Sequence, residues 1–304
     1  MTTKHPLILV TGATGRLGRL LVPRLQAQGA RVRAYTRQPE QARLLLGPQV
    51  EIAEGDLDDP AALRRAAQGA THAFLLSPIA PTLAAQQIAV VEAARAQGVG
   101  HVVKLSGSDW TLAPAGRSLS GDAHAQVEAA LVRAGLSHVV LRPNAWSQVV
   151  LGRIAQELQA GDVITSPHGD ARVSYIDARD IADVAVEALL NEALVQARRA
   201  EHPGPWVLTG GEALDYTAIA AIAARITGRP VRYRARGATE PGQHPPADDT
   251  PTFIQQVHAQ FTALIDAGEA ETVTDTVQQV LERAPRTVEN YLRPALDGFG
   301  ARTA

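Results

Sequence analysis

Hydrophobic and polar positions divide the first half of the chain into short apolar runs and longer stretches with helical spacing. The runs are rich in β-branched residues and end at turn residues, which predicts buried strands. These strands are predicted at Pro6–Thr11, Ala30–Thr36, Val50–Glu54, Thr71–Leu76, His101–Ser106 and His138–Arg142. Because strands joined through helices pair in parallel by right-handed crossovers, the alternation predicts an α/β fold with a doubly wound parallel sheet.

The helices of this half are marked by their end residues as well as by their spacing. Pro60 stands at a first helical position, where proline is tolerated, and Asp59 is placed to cap that helix. Gly98 and Gly135 follow the last apolar positions of two others. The predicted helices are Arg19–Gln26, Pro39–Leu46, one that begins at Pro60, Thr82–Gln97 and Asp122–Ala134.

After Pro143 the alternation becomes looser. Helices are predicted at Gln148–Gln159, Ala178–Asn191 and Tyr216–Thr227, strands at Arg172–Ile176, Pro205–Thr209 and Val231–Arg234, a loop at Gly237–Pro251, and two or three helices at the end. This half lacks a long alternating pattern of its own. We therefore expect residues 148–304 to form a smaller substrate lobe, partly interleaved with a first domain of residues 1–147.

The most informative local feature is a glycine-rich turn between the first strand and the first helix. Its glycine spacing lets the chain turn tightly, lets backbone approach a pyrophosphate and lets the helix pack on its strand. The phosphate is expected at the helix N-terminus, where free N–H groups and the helix dipole favour an anion. A purely structural turn is the alternative. The residues expected to hold the nucleotide are Gly12, Thr14, Gly15, Arg16, Leu17 and Gly18.

The end of the second strand indicates which dinucleotide binds. An NAD site has Asp or Glu there for the ribose hydroxyls, whereas an NADP site has Arg near the extra phosphate. Here the strand is followed by Arg37 and by no acid, and Arg16 could supply a second positive charge. NADP(H) is therefore favoured over NAD(H), with solvated surface residues as the alternative for both arginines.

The ends of the third and fourth strands complete the expected cofactor site. Asp56 is placed to accept a hydrogen bond from the adenine amino group, while Leu57 covers a ring face. A helix cap is the alternative for Asp56, although Asp59 is better placed for it. At the carboxyl edge of the sheet, where ligands bind in open α/β folds, the fourth strand closes with Leu76, Ser77 and Pro78.

Composition changes this picture mainly by exclusion. The 304-residue chain has no cysteine and a formal net charge of −2, so thiol catalysis is excluded and no nucleic-acid partner is expected. Its histidines lack metal-ligand spacing, and the chain contains no Gly-Lys-Ser/Thr phosphate loop. Because it also lacks an apolar run long enough to cross a membrane, we expect a cytoplasmic protein without metal or membrane partner.

Together these motifs resemble the short-chain dehydrogenase/reductase superfamily, and specifically its atypical NmrA-like branch. The resemblance covers nearly the whole chain and is carried by Thr11–Gly18, Thr36–Pro39, Gly55–Pro60, Val102–Gly107, His124–Glu128, Leu141–Pro143, Tyr175–Ala182 and Glu282–Asn290. Members of this branch include type-2 quinone oxidoreductases, triphenylmethane dye reductases, some azoreductases, ergot-alkaloid reductases and non-catalytic redox-sensing regulators. The resemblance implies a Rossmann fold that binds NAD(P)H and a small conjugated acceptor. A homodimer is a candidate assembly of the chain.

One departure from the superfamily pattern bears on the chemistry. Ordinary members use a Tyr-x-x-x-Lys pair, in which Tyr is the general acid and Lys holds the ribose. Here Ser120 stands at the Tyr position and His124 at the Lys position. A serine hydroxyl is a much poorer acid, so ketone reduction loses its proton relay. Quinones, iminium ions and cationic dyes need mainly a hydride donor held in position, which favours such substrates.

The remaining candidate residues follow the fifth and sixth strands. His124 and Ser108 are the candidate catalytic residues, and for His124 ribose binding and ordinary packing remain open. Ser106, Pro143 and Asn144 are expected to border the nicotinamide.

Three aromatic residues are candidates for contact with the substrate. Trp110 and Trp146 follow neighbouring strands and are suited to stack on a flat acceptor, and Tyr175 is expected to line the same cleft. Ordinary packing is the alternative for each. The sequence thus favours an NAD(P)H-dependent reductase, with a non-catalytic NADP(H)-binding sensor that acts through a protein partner as the second hypothesis.

Overall fold

Seven parallel strands form the central sheet of the protein, whose computed structural model describes residues 5–236 and 251–297. The described residues form nine strands, of which seven belong to this sheet: β1 (Leu7–Thr11), β2 (Arg31–Thr36), β3 (Glu51–Glu54), β4 (His72–Leu75), β5 (His101–Leu105), β6 (Ser137–Pro143), β7 (Val163–Ser166), β8 (Trp206–Leu208) and β9 (Arg232–Ala235). The central sheet has the order β3-β2-β1-β4-β5-β6-β8, and β7 pairs with β9 separately. The order reverses between β1 and β4, so the predicted doubly wound Rossmann fold is confirmed.

Helices connect and cover these strands. They are α1 (Gly18–Ala27), α2 (Pro39–Leu46), α3 (Pro60–Ala67), α4 (Leu83–Ala96), α5 (Asp109–Leu112), α6 (Leu119–Ala134), α7 (Ser147–Val150), α8 (Ile154–Ala160), α9 (Ala178–Leu190), α10 (Glu192–Glu201), α11 (Tyr216–Thr227), α12 (Phe253–Asp266), α13 (Thr276–Leu281) and α14 (Val288–Leu296). Asp59 caps α3 as predicted, because its Oδ1 accepts hydrogen bonds from the N–H groups of Ala61 at 2.9 Å and Ala62 at 3.0 Å.

Both faces of the sheet are buried, which explains the nearly continuous apolar runs of its strands. Ile8 and Val10 of β1 pack with α1 and α9 on one face. Leu7 and Leu9 pack with α3, α4 and α6 on the other. Since successive residues of a strand point to opposite faces, each strand contributes to both layers, and a ligand site is left to the strand ends.

The second half of the chain is divided between the sheet and a separate hydrophobic cluster. Ile181 of α9, Leu208 of β8 and Val277 of α13 join the core on one face of the sheet, and β8 pairs with β6 at its edge. In contrast, α8, α11, α12 and α14 share a cluster with Ile164 of β7. The boundary between residues 1–147 and 148–304 stays a prediction.

The predicted strand at Arg172–Ile176 is wrong. Val173 makes a single bridge to Leu214, and Ile176 makes one to Trp146, without a continuing ladder. Val173 and Ile176 are both fully buried. The apolar run therefore reflects burial by tertiary packing, which its pattern does not distinguish from burial in a sheet.

Other differences in the second half follow from short elements. The helix predicted at Gln148–Gln159 is divided into α7 and α8, with Gly152 in the break. The strand β7 and the helices α5 and α10 were not predicted; β7 is short and pairs only with β9, which lies far along the chain. The predicted loop at Gly237–Pro251 lies outside the described residues except for Pro251.

A cluster of charged residues fastens the C-terminal segment to α9. Asp180 is fully buried and accepts hydrogen bonds from Nη2 of Arg283 at 2.7 Å and from the backbone N–H of Arg286 at 2.6 Å. The Arg286 guanidinium also bonds Asp180. Asp183, one turn later, accepts from Arg283 at 2.6 Å, from Arg286 at 2.8 Å and, on its other oxygen, from Arg24 of α1 at 2.7 Å. These contacts join α1, α9 and the segment after α13.

We expect Asp180→Ala to lower the free energy of unfolding by about 3 kcal/mol, because it removes the buried acceptor of two arginines and one backbone N–H. Equilibrium denaturation in urea measures this change. Glu40→Ala is the matched control: Glu40 forms an exposed pair with Arg43, and its loss is expected to cost less than about 0.5 kcal/mol. Equal changes in the two variants would contradict the assignment.

Candidate active site

Two glycines let α1 begin against the end of β1. Gly12 has φ +68°, and a Cβ there would lie 3.1 Å from both Cγ and the carbonyl oxygen of Leu76. A Cβ at Gly18 would lie 2.4 Å from the carbonyl oxygens of both Gly12 and Ala13. Side chains at these positions would push the backbone apart. The structure therefore requires bare backbone where a phosphate is expected to approach.

The N-terminus of α1 is suited to an anion. Leu17 at the N-cap position provides no side-chain hydrogen bond, and the first turn carries no acidic residue. The turn is held internally by a hydrogen bond from the Gly15 N–H to the Gly12 carbonyl at 3.1 Å. Because no carboxylate competes in this turn, its N–H groups and the helix dipole can serve a bound phosphate.

Hydrogen bonds of Thr11 join the ends of β1 and β4, where the strand order reverses. Its Oγ1 donates to the Leu76 carbonyl at 2.8 Å and accepts from the Leu76 N–H at 2.9 Å. The hydroxyl is nearly fully buried. It thus fixes Leu76 against the glycine turn, at the crevice where ligands bind in doubly wound sheets.

A cavity of about 390 Å³ lies beside this crevice. It brings together six of the residues that the sequence predicted for the cofactor: Gly12, Thr14, Arg37, Asp56, Leu57 and Pro78. Tyr35 also lines it and donates a hydrogen bond to the Asp56 carbonyl at 2.6 Å. Burial, followed by the nearby Asp59 and Asp56 carboxylates, raises the pKa of Tyr35 to about 12, so the phenol stays a donor.

Arg37 lines this cavity with an exposed side chain that forms an ion pair with Asp56. Its side chain is 74% exposed, and its Nη1 lies 3.6 Å from Oδ2 of Asp56. The Asp56 carboxylate also accepts from the Asp58 N–H at 3.1 Å, and Asp59 rather than Asp56 caps α3. The capping alternative for Asp56 is therefore excluded. Arg16 lies on the other side of the turn, where it donates to the Gln148 carbonyl at the start of α7.

A chain of buried polar side chains runs from the end of β4 to α6. Gln87 of α4 donates from Nε2 to the Ser77 hydroxyl at 2.9 Å and accepts on Oε1 from Nζ of Lys104 at 2.8 Å. Nζ also lies 3.1 Å from the Leu105 carbonyl and 3.0 Å from Nδ1 of His124. Sequence reasoning missed Lys104 and Gln87. The signal was present, since a lysine interrupts the apolar run of β5.

Burial dominates the electrostatics of this chain. It lowers the pKa of Lys104 to about 7, with the Glu128 carboxylate opposing this shift and the Arg142 guanidinium adding to it. Burial and the neighbouring Lys104 hold the pKa of His124 well below its usual range. His124 is therefore neutral at physiological pH, and one of its two ring nitrogens carries a proton.

The other edge of the His124 ring faces Gly107, just beyond the carboxyl end of β5. A Cβ at Gly107 would lie 2.9 Å from Cδ2 of His124, the ring atom next to Nε2. Nearby, Ser108 occupies the N-cap position of α5 without capping it through its hydroxyl. The structure thus places Gly107 against the Nε2 side of the His124 ring, and Ser108 follows Gly107 along the chain.

Ser106 belongs to a separate ionic group. Its hydroxyl donates to Oε1 of Glu128 at 2.5 Å, and Arg142 donates to both Glu128 oxygens and to Asp109 at 2.7 Å. These bonds connect β5, α6, β6 and α5. Ser106 therefore has a structural role in this group, and its predicted role in cofactor binding stays a prediction.

Asn144 holds the end of β6 in place. Its Oδ1 accepts from Nε1 of Trp110 at 2.7 Å, and its Nδ2 donates to Ser174 at 2.5 Å and to the Ala270 carbonyl at 2.9 Å. The neighbouring Pro143 is buried. All the polar atoms of the Asn144 side chain are thus engaged within the protein, which favours a positioning role over direct contact with nicotinamide.

The three candidate aromatic residues do not form one stacking surface. Trp110 is buried against Phe261, with ring centroids 5.1 Å apart, and Tyr175 lies in the same cluster with its hydroxyl buried and without a partner among the described residues. Trp146 packs instead against the core of the sheet and is only half-buried. Packing engages Trp110, whereas the Tyr175 hydroxyl has no partner among the described residues; the substrate contacts predicted for all three stay predictions.

Larger cavities lie elsewhere and contain none of the predicted site residues. Two of them, of about 710 and 640 Å³, border the amino ends of β4, β5 and β6, near His72, His101 and His138. Ligands of doubly wound sheets bind at the opposite, carboxyl edge. Size alone therefore does not identify the site.

The chain belongs to the NmrA-like family, whose model matches residues 4–292. This match confirms the resemblance that the sequence motifs carried. No helix among the described residues is long and apolar enough to cross a membrane. Within that same part of the chain, no group of three or more acidic or histidine side chains could hold a metal ion.

Among curated relatives, the chain is 30% identical to an NAD(P)H azoreductase of Xenophilus azovorans over 97% of this chain and 100% of that protein. Solved structures with the same fold include an NADPH complex of the Escherichia coli quinone oxidoreductase QOR2, with TM-score 0.77, 23% identity and coverage of 95% and 100%. The triphenylmethane reductase of Citrobacter sp. with NADP(H) has TM-score 0.78, 22% identity and coverage of 95% and 99%. The two solved structures show that the chain shares their fold.

We expect Gly18→Ala to weaken binding of NADPH by at least about tenfold, because the added Cβ displaces the backbone that forms the phosphate cradle. Titration followed by nicotinamide fluorescence measures the affinity. Gly204→Ala is the control, since a Cβ there meets no atom within 4 Å. Unchanged affinity in Gly18→Ala, with both variants folded, would contradict the location of the cofactor.

Proposed function

We propose that this chain is an NADPH-dependent reductase that transfers hydride to a small conjugated acceptor such as a quinone or an azo or triphenylmethane dye. The proposal depends mainly on the glycine turn before α1, which requires bare backbone at Gly12 and Gly18 and lies beside a cavity lined by Arg37 and Asp56. The relatives named as azoreductase, quinone oxidoreductase and triphenylmethane reductase support the same class of reaction.

The residues present fit the cofactor. Backbone N–H groups at the start of α1 would hold the pyrophosphate, and Arg37 would bind the 2′-phosphate that distinguishes NADPH from NADH. Asp56 and Leu57 would receive the adenine. When bound, NADPH supplies the hydride, and the protein supplies orientation and a site shielded from water.

The choice of acceptor follows from the proton donors that the chain offers. Ser120, at the position of the usual catalytic Tyr, is buried and its hydroxyl lies 3.1 Å from that of Ser118, so it does not replace a phenol. The Nε2 side of the His124 ring faces Gly107 beyond the end of β5, and Ser108 follows Gly107 along the chain. A quinone or azo compound accepts hydride to give an anion that its conjugated system stabilises and that one proton then neutralises, whereas a cationic dye becomes neutral by accepting hydride alone. Neither leaves an unstabilised alkoxide.

Turnover tests this proposal. Steady oxidation of NADPH with a panel of quinones, azo dyes and cationic triphenylmethane dyes is the expected result, detected at the absorbance of the reduced nicotinamide. Tight NADPH binding without turnover of any acceptor, together with a partner protein that binds according to the redox state of the cofactor, would favour the sensor hypothesis instead.

We expect Arg37→Ala to weaken NADPH binding by about 10- to 100-fold and to change NADH binding less than about twofold, because a charge-assisted hydrogen bond contributes about 1.5–3 kcal/mol and NADH lacks the 2′-phosphate. Isothermal titration calorimetry gives both affinities. Arg43→Ala removes another exposed arginine, outside the cavity, and should alter neither. Equal affinities of the unmodified protein for NADPH and NADH would refute the preference.

A further inference from the structure

The surroundings of Lys104 match the hydrogen-bonding capacity of an ammonium group. The side chain is fully buried in the middle of β5. Three acceptors surround Nζ: Oε1 of Gln87 at 2.8 Å, Nδ1 of His124 at 3.0 Å and the Leu105 carbonyl at 3.1 Å. An ammonium has three N–H donors, so all of them are satisfied when Nδ1 of His124 is unprotonated. The His124 proton then lies on Nε2.

The same atoms also satisfy a neutral amine. An amine has two N–H donors and one lone pair; the donors serve Gln87 and Leu105, and the lone pair accepts from a protonated Nδ1 of His124. Gln87 keeps its orientation in both states, because its Nε2 donates to Ser77 at 2.9 Å. A proton can therefore move between Nζ and Nδ1 without leaving a buried polar atom unpaired.

We infer that Lys104 is the proton source behind His124, acting through the imidazole to protonate the reduced acceptor. The inference rests on the proposed reductase function. The anionic oxygen or nitrogen of the reduced acceptor takes the proton of Nε2, so that an O–H or N–H bond forms as the Nε2–H bond breaks. Nδ1 takes a proton from Nζ, and Lys104 becomes a neutral amine. One ammonium and one anion become two neutral groups, and no atom changes its oxidation state. The ammonium is restored with a proton from water.

The charged groups around the pair support this task. The Glu128 carboxylate of α6 favours the ammonium, and the Arg142 guanidinium of β6 and burial oppose it, which brings the pKa of Lys104 to about 7. On the α4 side, Lys104 contacts Gln87, whose amide does not titrate. His124 is itself kept neutral by burial and by Lys104. A donor with a pKa near the working pH both gives and recovers a proton readily.

We expect the inference to be visible in the tautomer of His124 without any turnover. Nitrogen-15 NMR of the histidine-labelled chain, with the His124 signals assigned by comparison with His124→Gln, should show the proton on Nε2 below about pH 7 and on Nδ1 above it, with the ring neutral throughout. The switch should follow the loss of the Lys104 proton and be absent in Lys104→Met. A tautomer that is constant from about pH 6 to about pH 9, or a protonated ring within that range, would overturn the inference.

Two acceptors distinguish proton supply from a general effect on the enzyme. Lys104→Met should lower kcat by about 10- to 100-fold for a quinone, which needs a proton, and by less than about twofold for a cationic triphenylmethane dye, which does not. In the unmodified protein, kcat for the quinone should fall as the pH rises above about 7, because the ammonium fraction declines. Arg133→Ala, which changes an exposed residue of α6, is the control and should leave both rates unchanged.

The outcomes separate this inference from the proposed function. Equal losses for quinone and dye, with NADPH affinity preserved in Lys104→Met, would overturn the proton-supply role and leave the reductase intact. Absence of turnover with both acceptors in the unmodified protein would refute the reductase, while the tautomer measurement would still decide whether Lys104 and His124 share a proton. That measurement on the unmodified chain also holds if Lys104→Met fails to fold.

Discussion

The close approach of α1 to the end of β1 is the constraint on which the site depends. A Cβ at Gly18 would lie only 2.4 Å from the carbonyl oxygens of Gly12 and Ala13, so this close approach requires glycine. Thr11 ties the same strand end to Leu76 on β4. The close approach at Gly18 and the hydrogen bonds of Thr11 together form the crevice where the strand order reverses. The positions of the cavity beside Arg37 and of Ser77 after β4 depend on this crevice.

The first half of the fold and the grouping of six predicted cofactor residues around one cavity could be predicted from the sequence because their determinants are local. A strand, a glycine turn and a helix lie within one stretch of chain, and Arg37 and Asp56 follow directly on strands whose apolar runs are unambiguous. Parallel pairing then brings these strand ends to a single edge. Sequence order alone therefore places six predicted residues around one cavity.

The buried polar chain and much of the second half could not be predicted because they depend on contacts between distant segments. Gln87 reads as an ordinary polar residue of α4, and only the packing of α4 against β5 shows that it meets Lys104. Trp110 follows a strand end and is predicted to contact the substrate, yet only the fold shows that its indole donates a hydrogen bond to Asn144 and packs against Phe261. Periodicity gives burial but not the neighbour that causes it.

The pairing of β8 with β6 has a consequence for biosynthesis. A nascent chain that has emerged only as far as α9 carries six strands of the sheet but leaves the outer edge of β6 without its partner, and unpaired edges invite association with other chains. Closure of that edge waits for Trp206 to leave the ribosome, and the anchoring of Arg283 and Arg286 onto α9 waits longer still. Completion of the central sheet thus waits for a segment that lies far along the chain from the strand it joins.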